Sequence, residues 1–363
     1  MVKKDFFELR GHPAGFYAWI FSALGILFTL ALWTWLSWGD DPLVPPNALP
    51  KPWRVITAFG DLMQDNDLFR NTTLSLSLNL AGYLEAILLA LPVGFFIGLF
   101  PVFRGMFQRQ VDSIRYVPLT AILALFITWF GIGTPMKIHF LAFGIVIYLL
   151  PIIVQRIDEV NDIYVKTVTT LGATDWQTIR TVFFPAVLSK LSDDIRVLTA
   201  ISWTYIIVAE MIGNEGGLGA LIYRAGQRVG RTDKVFAILI VIILIGILQD
   251  KIFLKLDRVL FPHKYQIADS TKKGRLKNEG LANVLLSFIF DLLIWLLIAA
   301  YLVLFLNEMT GFLTTQKIFV YFFERSAWAV HLVFWAIIAF KGFSLYNKMV
   351  VNKPVSLATA EKN

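Results

Sequence analysis

The sequence predicts an all-α integral membrane protein with about eight spans, from three features of the chain. Hydrophobic residues fill 57% of the 363 positions and charged residues only 16%, with a mean hydropathy of +0.65, far outside the soluble globular range. Apolar runs of bilayer length recur along the chain, separated by polar stretches rich in Gly, Pro and charge. Of the 33 Lys and Arg, 23 fall in alternate segments, which makes those segments the inner ones and puts both termini inside. The net charge of +7 and pI near 9.4 are therefore read as topology, not as a nucleic-acid surface. There is no cysteine, which excludes disulfides, thiolate metal sites and Cys nucleophiles together.

Lys3, Lys4 and Arg10 precede the first apolar run, Phe16 to Trp38, too long for a signal peptide and without a convincing cleavage site. Asp40 to Arg70 carries five prolines and several acids, as an external loop with a short surface helix near Trp53 to Met63 would. The second span, about Thr72 to Phe100, holds Gly94 and Gly98 in a G-x-x-x-G spacing that suits close helix packing. Arg104, Arg109 and Arg115 mark an inner loop, followed by spans at Tyr116 to Phe130 and Ile138 to Val154.

Next comes a polar interruption, Lys166 to Pro185, which reads as two short helices and an elbow. Gly172 stands where a helix wants its terminal glycine. Thr174 with Gln177 fits a capping box for the next helix, in which each side chain satisfies a backbone N–H of the other. Trp176, Ile179, Val182 and Phe183 recur at helical spacing on one face. Such a hairpin either rests on the bilayer or docks into another protein. Spans five and six, Ser192 to Ile212 and Val235 to Leu254, flank a glycine-rich turn, Gly213 to Gly219, and an outer basic loop with Arg224, Arg228 and Arg231. That loop is either an anion-attracting or docking surface or a solvated anchor at head groups.

The densest basic block, Lys255 to Gly280, leads to two further runs, about Leu281 to Leu306 and Ser326 to Phe343, dominated by large apolar residues and expected to pack outside the main bundle. The organisation is thus 1–71 (tail, first span, external loop), 72–262 (core, with a cytoplasmic loop at 156–190), 263–280 (basic linker) and 281–363 (two-span extension and tail).

No catalytic constellation emerges. His12, His139, His263 and His331 are scattered without ligand spacing, and the glycine-rich turn lacks the G-K-[ST] ending of a phosphate cradle. Glu85 and Glu210 fall within spans, where an acid is costly and faces either a water-filled path or a structural hydrogen bond; Asp291 is a similar case near the inner third of its span.

The loop resembles the EAA loop of ATP-binding cassette (ABC) importer permeases, whose pattern is EAA, three residues, Gly, nine residues, Ile, one residue, Leu-Pro. Gly172 and Pro185 match at that spacing, and Leu171 to Trp176 (LGATDW) is similar to the family's LGAS-x-W wording. The resemblance runs from about Thr72 to Pro262. It includes Arg115 to Pro118 (RYVP), Trp129 to Gly133 (WFGIG), Ala209 to Met211 (AEM), Gly216 to Gly219 (GGLG) and Gln249 with Asp250, and looks most like the nitrate, sulfonate, taurine and bicarbonate branch. The EAA triplet itself is replaced by Lys166, Thr167 and Val168, and the Ile and Leu positions are Val182 and Phe184. Leu281 to Asn363 has no counterpart in the usual pattern.

What the resemblance implies is a type I importer (MetI-like) transmembrane bundle in the bacterial cytoplasmic (inner) membrane, paired with itself or with a related permease. Separate ABC ATPase subunits, which bind ATP and Mg, receive the loop through Lys166, Thr167, Gly172, Ala173, Thr174, Asp175, Trp176 and Pro185. An extracytoplasmic solute-binding protein docks outside, and Glu85, Trp203 and Glu210 are candidates for the path. This chain has no nucleotide site, cofactor, metal or catalytic residue of its own. Two other readings remain: an ion-driven carrier or channel using Glu85, Glu210 and Asp291, for which no inverted hydropathy repeat is visible, and a membrane structural or assembly factor.

Overall fold

A computed structural model describes residues 15–213, 215–265, 281–312 and 316–351. The N-terminal Lys3, Lys4, Arg10 and His12 and the linker basics Lys272, Lys273, Arg275 and Lys277 lie outside the described residues, as do the side chains of Arg228 and Asp291. Every regular element among the described residues is helical. Among the described residues, six helices are long and apolar enough to cross a membrane, or seven if one bent pair counts as a span. The chain divides into two compact units, Met1–Phe69 with Ala220–Ile245, and Arg70–Gly219 with Gly246–Asn363.

In the first unit, α1 (Gly15–Leu36) has no fully buried residue in its apolar span, as a helix largely surrounded by lipid would. The external loop contains the expected surface helix, α2 (Pro52–Asp65), which opens on a proline and turns Val55, Ala58 and Leu62 inward at helical spacing. Trp33 Nε1 donates to the Pro50 carbonyl at 2.9 Å, tying the loop to α1. The basic segment closes the unit. Arg231 donates to Asp61 at 2.9 Å and to Asp233 at 2.7 Å, and Lys234 donates to Asn66 Oδ1 at 2.9 Å.

The second unit is built on three helices: α3 (Leu68–Leu99), α6 (Thr134–Asp158) and α9 (Phe184–Gly213). Gly82, Gly94 and Gly98 of α3 lie against Leu141, Ile153 and Ile157 of α6, so the two helices run parallel at close range. A Cβ at these glycines would come within 2.8, 2.7 and 2.5 Å of those side chains. The G-x-x-x-G spacing is thus a packing seam. Helix α9 runs antiparallel to both, and its far half carries the core that Met136, Phe140 and Ile147 of α6 share with Ala209.

The expected third span differs. Helix α4 (Pro101–Ile114) and α5 (Leu119–Phe130) meet at 107°. The 12 residues of α5 cover about 18 Å, well short of a ~30 Å hydrocarbon core. Ile114 and Leu119 flank Pro118, which cannot continue a helix hydrogen-bond ladder, and this sets the break. Helices α10 (Leu218–Tyr223) and α11 (Thr232–Leu260) follow the glycine-rich turn.

The C-terminal extension comprises α12 (Leu281–Thr310), α13 (Ile318–Phe323) and α14 (Ala327–Val351). Helix α12 is 30 residues long, enough for a span, and most of its side chains before Ile294 lie outside the described residues. Tyr301 anchors the extension internally, stacked on Phe334 at 4.3 Å and bonded to His331 at 3.0 Å. Many of its described apolar side chains stay exposed. Its docking is specific all the same. Arg70 donates to the Tyr321 carbonyl at 3.1 Å, Thr134 donates to Glu324 at 3.1 Å, and the buried Ser77 and Ser326 hydroxyls meet at 2.6 Å. Glu324 holds a φ of +47°, a costly state for a non-glycine residue that the packed corner stabilises.

Candidate functional site

The hairpin between α6 and α9 is closed at its base by charge. Arg156, at the end of α6, forks onto Asp194 of α9 with both bonds at 2.7 Å and also reaches Glu159 at 2.7 Å. Lys190 joins Glu159 at 3.0 Å. Hydrogen bonds from Arg156 first, then from Lys190, lower the Glu159 carboxyl to about 2.

Above this base stands α7 (Asp162–Thr170), capped by Asn161, whose Oδ1 accepts from the Ile163 N–H at 2.9 Å. At its end Gly172 adopts φ +83°. The Gly172 N–H returns to Thr169 at 2.9 Å and the Ala173 N–H to Val168 at 3.0 Å, the two bonds that satisfy a helix terminus around a left-handed residue. The expected capping box is present. Thr174 Oγ1 accepts from the Gln177 N–H at 3.3 Å, and the Thr174 N–H donates to Gln177 Oε1 at 2.8 Å. A single helical turn, α8 (Asp175–Thr178), then runs through a π-helical turn, Ile179–Phe183, into α9.

That π turn corrects one expectation. Of the four residues expected on one face, Val182 is buried and Ile179 and Phe183 are half-buried, whereas Trp176 is 70% exposed. A five-residue turn rotates the chain past the 3.6-residue period, so Trp176 leaves the face that Val182 occupies. Pro185 follows directly and contributes no N–H. Lys166, Thr167, Thr174 and Asp175 are exposed and Ala173 is half-buried, with Leu171 82% and Ile163 66% exposed beside them. A shallow groove of about 370 Å³ separates the two arms, lined by Thr167, Val168, Val182, Pro185, Ala186 and His263. The hairpin thus presents a rigid, apolar-tipped knob with polar flanks.

At the opposite end of α9 the chemistry inverts. Glu210 is fully buried, accepting from Ser75 Oγ at 2.6 Å and from the Gly219 N–H at 2.8 Å. Ser75 Oγ accepts in turn from the Leu218 N–H at 2.8 Å, and Asn71 Oδ1 from the Gly217 N–H at 2.8 Å. A Cβ on Gly217 would stand 2.3 Å from the Glu210 carboxyl, so the turn must be glycine there. Lys137 is also buried, its Cε lying 2.9 Å from where a Gly213 Cβ would be. Glu210 therefore clamps the glycine-rich turn, the structural hydrogen-bond alternative to a path role. Trp203 is likewise turned inward, donating to Gln249 Oε1 at 3.0 Å.

Glu85 is placed differently, half-exposed, with Oε1 2.8 Å from His139 Nδ1. Of the outer arginines, Arg224 donates to the Ala220 carbonyl at 3.3 Å. Arg231 is committed to Asp233 and Asp61, whose hydrogen bonds hold its guanidinium above the usual range. Its charge is paired locally with these two acids. Among the described residues no group of His, Asp and Glu could hold a metal ion.

Sequence reasoning missed His139, Asn71, Ser75 and Lys137. The one available signal was the run of polar residues in α3 at Asn71, Ser75 and Asn79, four apart on one helical face.

Residues 90–260 match the family of binding-protein-dependent transport system inner membrane components. The taurine transport system permease protein TauC of Escherichia coli (strain K12) is 28% identical over 66% of this chain and 88% of its own length. SsuC of Bacillus subtilis (strain 168), assigned to aliphatic sulfonates transport, is 28% identical over 67% of this chain and 87% of its own. Among solved structures, the inward-facing MetNI methionine ABC transporter is similar with a TM-score of 0.49 and 19% identity, covering 53% of this chain and 95% of that one. Residues 90–260, just under half of the chain, are thus similar to the binding-protein-dependent transport system inner membrane components, and the relatives reported above are named as transport permeases.

Proposed function

We propose that this permease forms the membrane path for a small anionic solute, of the sulfonate kind that the names of its relatives state, handed over by an extracytoplasmic binding protein. Separate ATPase subunits receive the hairpin, and the permease pairs with a second copy or a related chain in the bacterial inner membrane with both termini cytoplasmic. The observation that carries this reading is the hairpin. Its two caps and its ion-paired base hold an apolar tip, Leu171 and Trp176, out from the protein, where a partner groove would bury it. A closing motion of paired ATPases would push the tip, and the base Arg156–Asp194 would transmit it to α6 and α9 together.

Gly172→Val with Trp176→Ala is the test. In proteoliposomes holding the permease, its ATPase and its binding protein, the double variant is expected to insert normally yet lose at least tenfold of ATP-driven taurine uptake. Uptake equal to the parent would sink the coupling assignment. An ion-driven carrier would instead take up solute along an ion gradient with no ATPase present.

A further inference from the structure

The α3/α6 seam is closed by glycines on one side, and beside it stands a polar pair that no part of the hairpin or the outer clamp uses. Glu85 Oε1 and His139 Nδ1 are 2.8 Å apart, with side chains 26% and 37% exposed. Phe130, the last residue of α5, lies against the imidazole with ring centroids 4.5 Å apart. Three elements therefore converge on His139, and no described residue partners its Nε2. About 20 Å of helix separates Glu85 from Gly98 at the hairpin end, which puts the pair well inside the membrane.

The same face of α3 continues through Leu88, 65% exposed, Leu89, 53%, and Phe96, 52%. Apolar residues there are compatible with lipid, but an ionisable pair with an open ring nitrogen is not, because hydrocarbon offers neither solvation nor a hydrogen-bond partner. Helix α5, about 18 Å long, is too short to cover the whole α3/α6 face.

We propose that Glu85 and His139 form a polar station on the wall of the translocation path, with His139 Nε2 turned toward the passing solute. The inference rests on the permease reading above. Glu85 fixes the ring through Nδ1, Phe130 packs against it at a tilt of 41°, and the remaining nitrogen is the group offered to water and to a small polar solute. Helix α3 supplies the acid and α6 the imidazole, so a shift along their seam would move the station.

The absence of cysteine allows a direct test, since any introduced thiol is the sole one in the chain. Single variants His139→Cys and Leu88→Cys, the latter leaving the pair intact, are exposed in the full transporter to sulfonatoethyl methanethiosulfonate, a water-soluble anion. Phe28→Cys on α1, a position 69% exposed, is the lipid-facing reference. Modification at 139 and 88 is expected at least tenfold faster than at 28. Rates equal to the reference at both positions would overturn the proposal. So would spontaneous disulfide formation between two copies at 139 without reagent access, which would make the face a contact between copies. Rapid modification in a protein that never binds an ATPase would leave the path intact and remove the ATP coupling instead.

Discussion

The two ends of α9 solve opposite problems with similar residues. At the hairpin end, Gly172, Thr174 and Gln177 make local bonds within a few residues of one another, and the product is an exposed tip. At the far end, Gly217, Leu218 and Glu210 bond across the unit to Asn71 and Ser75, and the product is buried. A locally bonded element tolerates exposure because it brings its own partners. A buried turn needs partners from another helix for every N–H it hides.

The largest effect should come from breaking the buried end. Glu210→Ala leaves the Ser75 hydroxyl and the Gly219 N–H without their acceptor, at a cost of about 1–3 kcal/mol for each stranded donor. Glu210→Gln, which keeps one acceptor oxygen, should cost about 1–3 kcal/mol. Thermal unfolding in detergent should rank alanine below glutamine and both below the parent; equal stability of all three would remove the clamp. At the hairpin end, Thr174→Ala should lose the cap for about 1 kcal/mol. Hydrogen exchange should speed up at Gln177 and its neighbours while the global melting point barely moves. A global loss matching that of Glu210→Ala would erase the contrast between the two ends.

The smallest effect concerns pH at the hairpin base. The Glu159 carboxyl titrates near 2 when folded and near 4.5 when free, so its contribution is fully present above about 4.5 and is lost as pH falls through 2. Because the pair is about one-third exposed, that contribution is about 0.2–1 kcal/mol. Proteolysis within 160–175 should be constant from pH 8 to pH 5. A rise in cutting between pH 7 and pH 6 would show that another group closes the base.

Much of the hairpin could be read directly, since Gly172 and the Thr174–Gln177 pair name their partners by spacing alone. The facing of Trp176 could not, because periodicity assumes 3.6 residues per turn and the chain inserts a π turn at Ile179–Phe183. Similarly, Tyr116 to Phe130 has the composition of a span, and only the 107° bend before α5 shows how little of the membrane it covers. Glu210 and Glu85 looked alike as acids in apolar runs. Their neighbours separate them: one meets Ser75 and a backbone N–H in the dark, the other an imidazole at a surface.

By itself, the sequence determined that the chain is helical and membrane-embedded, where its polar hairpin lies and how that hairpin is capped. Those features depend on composition and on bonds between residues a few positions apart. Only the tertiary structure decided which acid is a clamp and which lies open, that Arg231 is neutralised by Asp61 and Asp233, and that Ser77, Thr134 and Arg70 hold the C-terminal extension. Each of those outcomes depends on a partner far away in the chain, which local spacing does not encode.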